Sequence, residues 1–200
     1  MFYQGLKNYF IFNHLYKKGI MYENLAEYKN ALHFFFLALS MKPESLKCYK
    51  AIARTTRKNL QLFYSIDFYS KAIEQFPRNH ELYAMRADVY RKTRGYTEAI
   101  DNYNRAIQLD YSNIEYYKMR AQIKYYIDDL QGAINDLTTA ISWKPKDYKL
   151  YEQRAFYKFQ NKKYQSAIGD YTEALKINKN SKHAKFMLEA IQQLEENWNK

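Results

Sequence analysis

The chain has 200 residues, 47% of them apolar and 26% charged, proportions typical of soluble globular proteins and too apolar for a disordered one. Five Gly and three Pro exclude collagen-like and turn-dense β-chains, and the single cysteine, Cys48, excludes an internal disulfide or a cysteine-based zinc site. With 32 Lys and Arg against 21 Asp and Glu, the net charge of +11 invites an anionic partner.

Residues 1–11 are aromatic, with Phe2, Leu6 and Phe10 at four-residue spacing. They have no basic leader region and no small-residue cleavage site, so no signal peptide is expected. They either extend the first helix backwards or cover it.

From residue 12 onwards a 34-residue register organises the chain. Small residues recur at Gly19, Ala53, Ala87, Ala121 and Ala155. They recur again at Ala31, Ser65, Ala99, Ala133 and Ala167, and at Ala38, Ala72, Ala106, Ala140 and Ala174. Large residues keep the same step at Leu15, Tyr49, Tyr83, Tyr117 and Tyr151, and at Phe35, Tyr69, Tyr103, Leu137 and Tyr171. A further apolar column runs through Leu32, Ile66, Ile100, Ile134 and Ile168.

Within each unit the apolar residues are three and four apart, which predicts two amphipathic helices joined by a short turn. Small columns let the two helices approach to roughly 8–10 Å, and the facing aromatics fill the gaps. Pro43, Pro77 and Pro145 follow the second helix of three units and stop it. Beyond the last unit Ser181 is placed to N-cap a final helix. That helix carries Ala184, Met187, Leu188, Ile191, Leu194 and Trp198 on one side, so residues 182–200 read as a cap over the solenoid end.

These columns resemble the tetratricopeptide repeat, through five units at 12–45, 46–79, 80–113, 114–147 and 148–181. Unit four carries the pattern as Tyr117, Ala121, Ala133, Leu137, Ala140 and Pro145, and unit two departs from it with Ser65. The resemblance implies an all-α, right-handed superhelical solenoid of five hairpins in one continuous domain, led in by residues 1–11. It also implies that the first helix of each unit lines a concave groove in which a partner lies.

By that resemblance the groove residues include Lys47, Lys50, Arg54, Arg57 and Lys58 of unit two, then Met85 and Asp88 of unit three. Met119 and Gln122 of unit four follow, with Lys149 and Phe156 of unit five. The positive charge is uneven, with +5 in unit two and +4 in unit five. The five basic residues of unit two share one helical face, and within their own unit only Asp67 and Glu74 offset them. Such a stripe is either a solvated face or an anchor for an acidic segment.

A subset of the family grips the C-terminal carboxylate of heat-shock chaperones with five clamp residues. Three frames give Tyr16, Ile20, Ala51, Glu81, Met85; Lys50, Arg54, Met85, Glu115, Met119; and Ala84, Asp88, Met119, Lys149, Gln153. None matches, and two place a glutamate where the clamp uses lysine.

No catalytic constellation is present in the sequence. His14, His33, His80 and His183 lack metal-helix spacing, the five glycines form no phosphate loop, and Cys48 reads as a buried small apolar residue. The expected function is therefore a non-enzymatic scaffold that needs no cofactor or metal. It would bind a protein or peptide partner with an acidic segment, and RNA binding is the alternative that the charge and aromatics suggest. No run is long and apolar enough for a membrane span, and one cysteine suits a reducing, cytoplasmic setting. A monomer or weak oligomer is expected.

Overall fold

A computed structural model describes the backbone of residues 2–198 and the side chains of residues 7–193. The expectations placed on Phe2, Leu6, Leu194 and Trp198 lie outside those side chains. Among the described residues there are eleven helices and no strand. They group into two compact units, Met1–Leu109 and Asp110–Lys200.

The first unit holds α1 (Phe2–Asn24), α2 (Tyr28–Met41), α3 (Leu46–Lys58), α4 (Leu62–Gln75), α5 (His80–Lys92) and α6 (Tyr96–Leu109). Each odd-numbered helix packs on the even-numbered helix that follows it, and α2 and α4 also pack on α3 and α5. The second unit holds α7 (Ile114–Tyr126), α8 (Leu130–Trp143), α9 (Tyr148–Gln160), α10 (Tyr164–Ile177) and α11 (Lys182–Trp198). Here α7 packs on α8, α8 on α9, α9 on α10 and α10 on α11. α1 is one uninterrupted helix, which settles the alternative for the lead-in. Its backbone extends the first hairpin backwards.

The small-residue columns mark where the helices touch. Ala53, Ala87, Ala121 and Ala155 are fully buried, as are Ala31, Ser65, Ala99, Ala133 and Ala167. A Cβ added at Gly19 would lie 2.5 Å from the ring of Phe35, itself wholly buried. Ser65 in the alanine column keeps its hydroxyl satisfied by donating to the Ala53 carbonyl at 2.7 Å.

Two further columns fix the helix ends. Ser45, Asn79, Asn113, Asp147 and Ser181 N-cap α3, α5, α7, α9 and α11, their side-chain oxygens accepting from backbone N–H groups at 3.1–3.4 Å. Ala26, Leu60, Arg94, Asp128 and Lys162 sit between the two helices of each hairpin with φ of 59°, 59°, 62°, 63° and 57°. The left-handed turn brings the next N–H back to a carbonyl five residues earlier, as from Glu27 to Tyr22 at 2.9 Å and from Lys163 to Lys158 at 2.9 Å. The closing bond offsets a strain that no side chain here relieves, since none of the five is glycine.

α11 forms at the end of the second unit. Ala184 and Ile191 are buried with Ala167, Tyr171 and Ala174, and Met187 and Leu188 pack beside them. The five prolines and non-prolines of the expected stops behave alike: α2, α4 and α8 end two residues before Pro43, Pro77 and Pro145, and α6 and α10 end two before Tyr111 and Lys179. The chain turn there is set by the hairpin register, with or without the imino ring.

Candidate functional site in the first helices of the hairpins

The expected groove residues fall on the first helices of their hairpins. Lys47, Lys50, Arg54, Arg57 and Lys58 lie on α3, Met85 and Asp88 on α5, Met119 and Gln122 on α7, and Lys149 and Phe156 on α9.

In the first unit the basic stripe is held by carboxylates from both neighbouring hairpins. Arg54 donates through Nε and Nη2 to Glu23 of α1 at 2.8 and 2.6 Å, and Lys58 reaches the same carboxylate at 3.2 Å. Lys50 pairs with Glu81 of α5. Arg57 donates to Asp88 at 2.6 Å, and Arg91 meets the other oxygen at 2.7 Å. Lys92 is 3.9 Å from Asp88. Counting only Asp67 and Glu74 as offsets therefore understated the compensation. The partners stand about one repeat away in sequence, where adjacent first helices bring them side by side. Six cations still share three carboxylates, leaving a local excess of three positive charges.

Glu23 is 4% exposed, although it is an acid. Burial pushes its carboxyl up, but the Arg54 and Lys58 contacts outweigh this and hold it below the usual carboxylate range. The hydrogen bond from Lys50 likewise holds Glu81 low. Lys47 differs from the rest of the stripe. Its ammonium lies 4.6 and 4.5 Å from the ring centroids of Phe12 and Tyr16 and donates to the Asn13 amide oxygen at 3.3 Å. Met85 is 38% exposed on the same α5 that carries Asp88.

The corresponding helices of the second unit carry aromatic and amide contacts alongside charged side chains such as the Lys118–Glu115 pair. Tyr125 stacks on Tyr157 at 4.9 Å and meets Phe156 at 5.6 Å. Gln122 donates to the Tyr126 hydroxyl at 3.3 Å, and Gln153 to that of Tyr157 at 3.1 Å. Met119 is half-buried and Lys149 exposed.

An arginine column that the sequence reading did not single out joins the helices of three hairpins. Arg86 donates to Asn102 at 2.8 Å, while Arg120 and Arg154 each grip a buried carboxylate with two bonds. These carboxylates are Asp136 and Asp170, which Lys124 and Lys158 also approach at 3.0 and 2.8 Å. The signal was present as two columns in the 34-residue register, Arg86, Arg120, Arg154 and Asn102, Asp136, Asp170, sixteen residues apart. The role of these groups is to bind helices together, so they belong to the scaffold.

Cys48 is buried, and burial pushes its thiol up, away from the reactive thiolate. His14, His33 and His183 are exposed, and no group of three metal-ligating side chains occurs among the described residues. Likewise no helix of the described residues is long and apolar enough to cross a membrane.

Residues 68–101 match the family described as Tetratricopeptide repeat. Among solved structures the chain is similar to MamA, at 16% identity and a TM-score of 0.75 over 84% of this chain and 92% of that one. It is also similar to YrrB, described as a TPR protein with an unusual peptide-binding site, at 16% identity and a TM-score of 0.69 over 86% and 89%. The first TPR of Spaghetti (RPAP3), bound to the HSP90 peptide SRMEEVD, is 25% identical with a TM-score of 0.53 over 57% and 91%. No curated protein matches the chain in sequence. Tandem helical hairpins run through the described residues, the segment from α4 to α6 matches the tetratricopeptide repeat, and the chain shares the fold of these solved structures.

Proposed function

We propose that this protein is a non-enzymatic scaffold whose first-helix faces bind a peptide or helix of a partner protein, with the α3 stripe meeting an acidic segment of that partner. The observation that carries this reading is the cluster on α1, α3 and α5, where six cations share three carboxylates. A local excess of three positive charges attracts an acidic partner and repels a basic one, which gives specificity and association rate more than raw affinity. Met85 beside it supplies an apolar contact for the same segment, and in the second unit, taken by itself, Met119, Gln122 and Phe156 offer apolar and amide contacts to a peptide.

The peptide-bound Spaghetti domain and YrrB support partner binding as the use of this fold. The chaperone-tail mode is not carried over. Glu81 stands at a position where that clamp uses lysine, and here it is tied to Lys50.

The test is a titration with blocked ten-residue peptides that alternate Glu and Leu, or Lys and Leu. The acidic peptide is expected to bind and to weaken with salt, and the basic one to fail. Replacing Lys50 and Arg57 together by Gln should weaken the acidic peptide about tenfold. Equal binding of both peptides, or binding of neither, would overturn the reading. Arg54 is left intact in this variant, because Glu23 is buried and would lose its bidentate partner.

A further inference from the structure

We infer that Lys47 and the cleft beside it read one acidic residue together with an adjacent large apolar residue of the partner, an inference that rests on the acidic-partner reading above. Four of the five basic residues in the α3 stripe already have a carboxylate of this chain: Lys50 has Glu81, Arg54 and Lys58 have Glu23, and Arg57 has Asp88. A partner carboxylate that took Arg54 would leave Glu23 buried with a weakened counter-charge. Lys47 carries no such obligation. It is exposed, and among the described residues no carboxylate lies within ion-pair distance of it.

What holds Lys47 instead is aromatic and amide. The rings of Phe12 and Tyr16 and the oxygen of Asn13 fix the ammonium while leaving its charge uncancelled. A lysine fixed in this way loses less side-chain freedom on meeting an anion than a free one would.

Immediately beside it opens a cleft of about 520 Å³, formed where α1 runs past the start of the repeat register and leaves space against the α2–α3 connection. Tyr9, Phe12, Met41 and Leu46 wall it, and Lys42 and Lys47 at its edge outnumber the single acid, Glu44. The lining is thus mixed, with four apolar side chains beside the amides of Asn8 and Asn13, the Ser45 hydroxyl and a net positive charge. Its charge complements an acidic residue, and its walls and size suit a Phe or Leu side chain next in line.

Three blocked hexapeptides test the pairing of charge and side chain by fluorescence titration of the full chain: Gly-Glu-Phe-Glu-Phe-Gly, its Gln analogue, and Gly-Glu-Ala-Glu-Ala-Gly. The first should bind at least tenfold more tightly than the other two. Lys47→Met removes the charge and should lower that affinity about tenfold, and Lys47→Arg should restore it. Tyr9→Ser, at a site 62% exposed and so harmless to folding, should reduce the Glu-Phe peptide to the level of the Glu-Ala peptide. If Lys47→Met and Tyr9→Ser bind like the parent while the double replacement of Lys50 and Arg57 does not, the inference is overturned and the acidic-partner reading stands. If the parent binds neither Glu-containing peptide, both are overturned.

Discussion

Gly19 and Gly169 both lie inside helices, yet their surroundings differ completely. A Cβ at Gly19 would meet the buried Phe35 ring at 2.5 Å, and a Cβ at Gly169 would meet nothing within 4 Å. Gly19→Ala should therefore destabilise by ~1–3 kcal/mol, because the ring has no space to retreat. Gly169→Ala should stabilise by ~1 kcal/mol, since it removes only the conformational cost of glycine in a helix. Denaturant midpoints check both signs. The first position was legible in the sequence because it stands in a column of alanines, where volume is the message. The left-handed turn residues were not legible. Ala26, Leu60, Arg94, Asp128 and Lys162 share a backbone conformation and no side-chain property.

The contacts between helices divide into packing and charge. Apolar columns foretell packing well, since a buried face must be apolar in every unit. Ion pairs hide better, because either partner alone reads as an ordinary surface charge until the helices are placed side by side. Asp136 is the clearest case: it is 4% exposed and holds both Arg120 and Lys124. Asp136→Ala should cost ~3–5 kcal/mol by stranding two partly buried cations. Asp136→Asn should cost less, because Asn102 occupies the same column and accepts from Arg86. Urea unfolding of the two variants gives the order. α11 makes a second test at this scale. Removing residues 182–200 uncovers Ile168, Tyr171, Ala174 and Leu175 of α10, and sedimentation velocity should show the truncated protein associating. A monomeric truncation would mean that α11 is no cap.

Across the molecule, charge is concentrated in a way that composition alone concealed. The excess of +11 pointed to a basic face, and the structure qualifies that face by threading Glu23, Glu81 and Asp88 between its cations. The stripe residues on α3 were legible because helical spacing places them together. Their partners were not, since each lies on a neighbouring hairpin. These carboxylates also link the cluster to acid stability. Glu23 titrates below an unfolded carboxyl, so its contribution is complete above the unfolded value and disappears as pH falls through the lower folded value. Denaturant midpoints should fall on acidification within that window. Glu23→Gln should lower stability at neutral pH by ~1.5–3 kcal/mol and flatten the acid loss.

Hydrogen exchange of the full chain, with and without the acidic Glu-Leu peptide, tests the central claim most directly, because it locates the partner on the molecule. The account predicts added protection in α3 and α5, at the cluster of Lys50, Arg57 and Asp88, and none on the outward sides of α2 and α4. Protection confined to α2 and α4, or an unchanged pattern under saturating peptide, would contradict it.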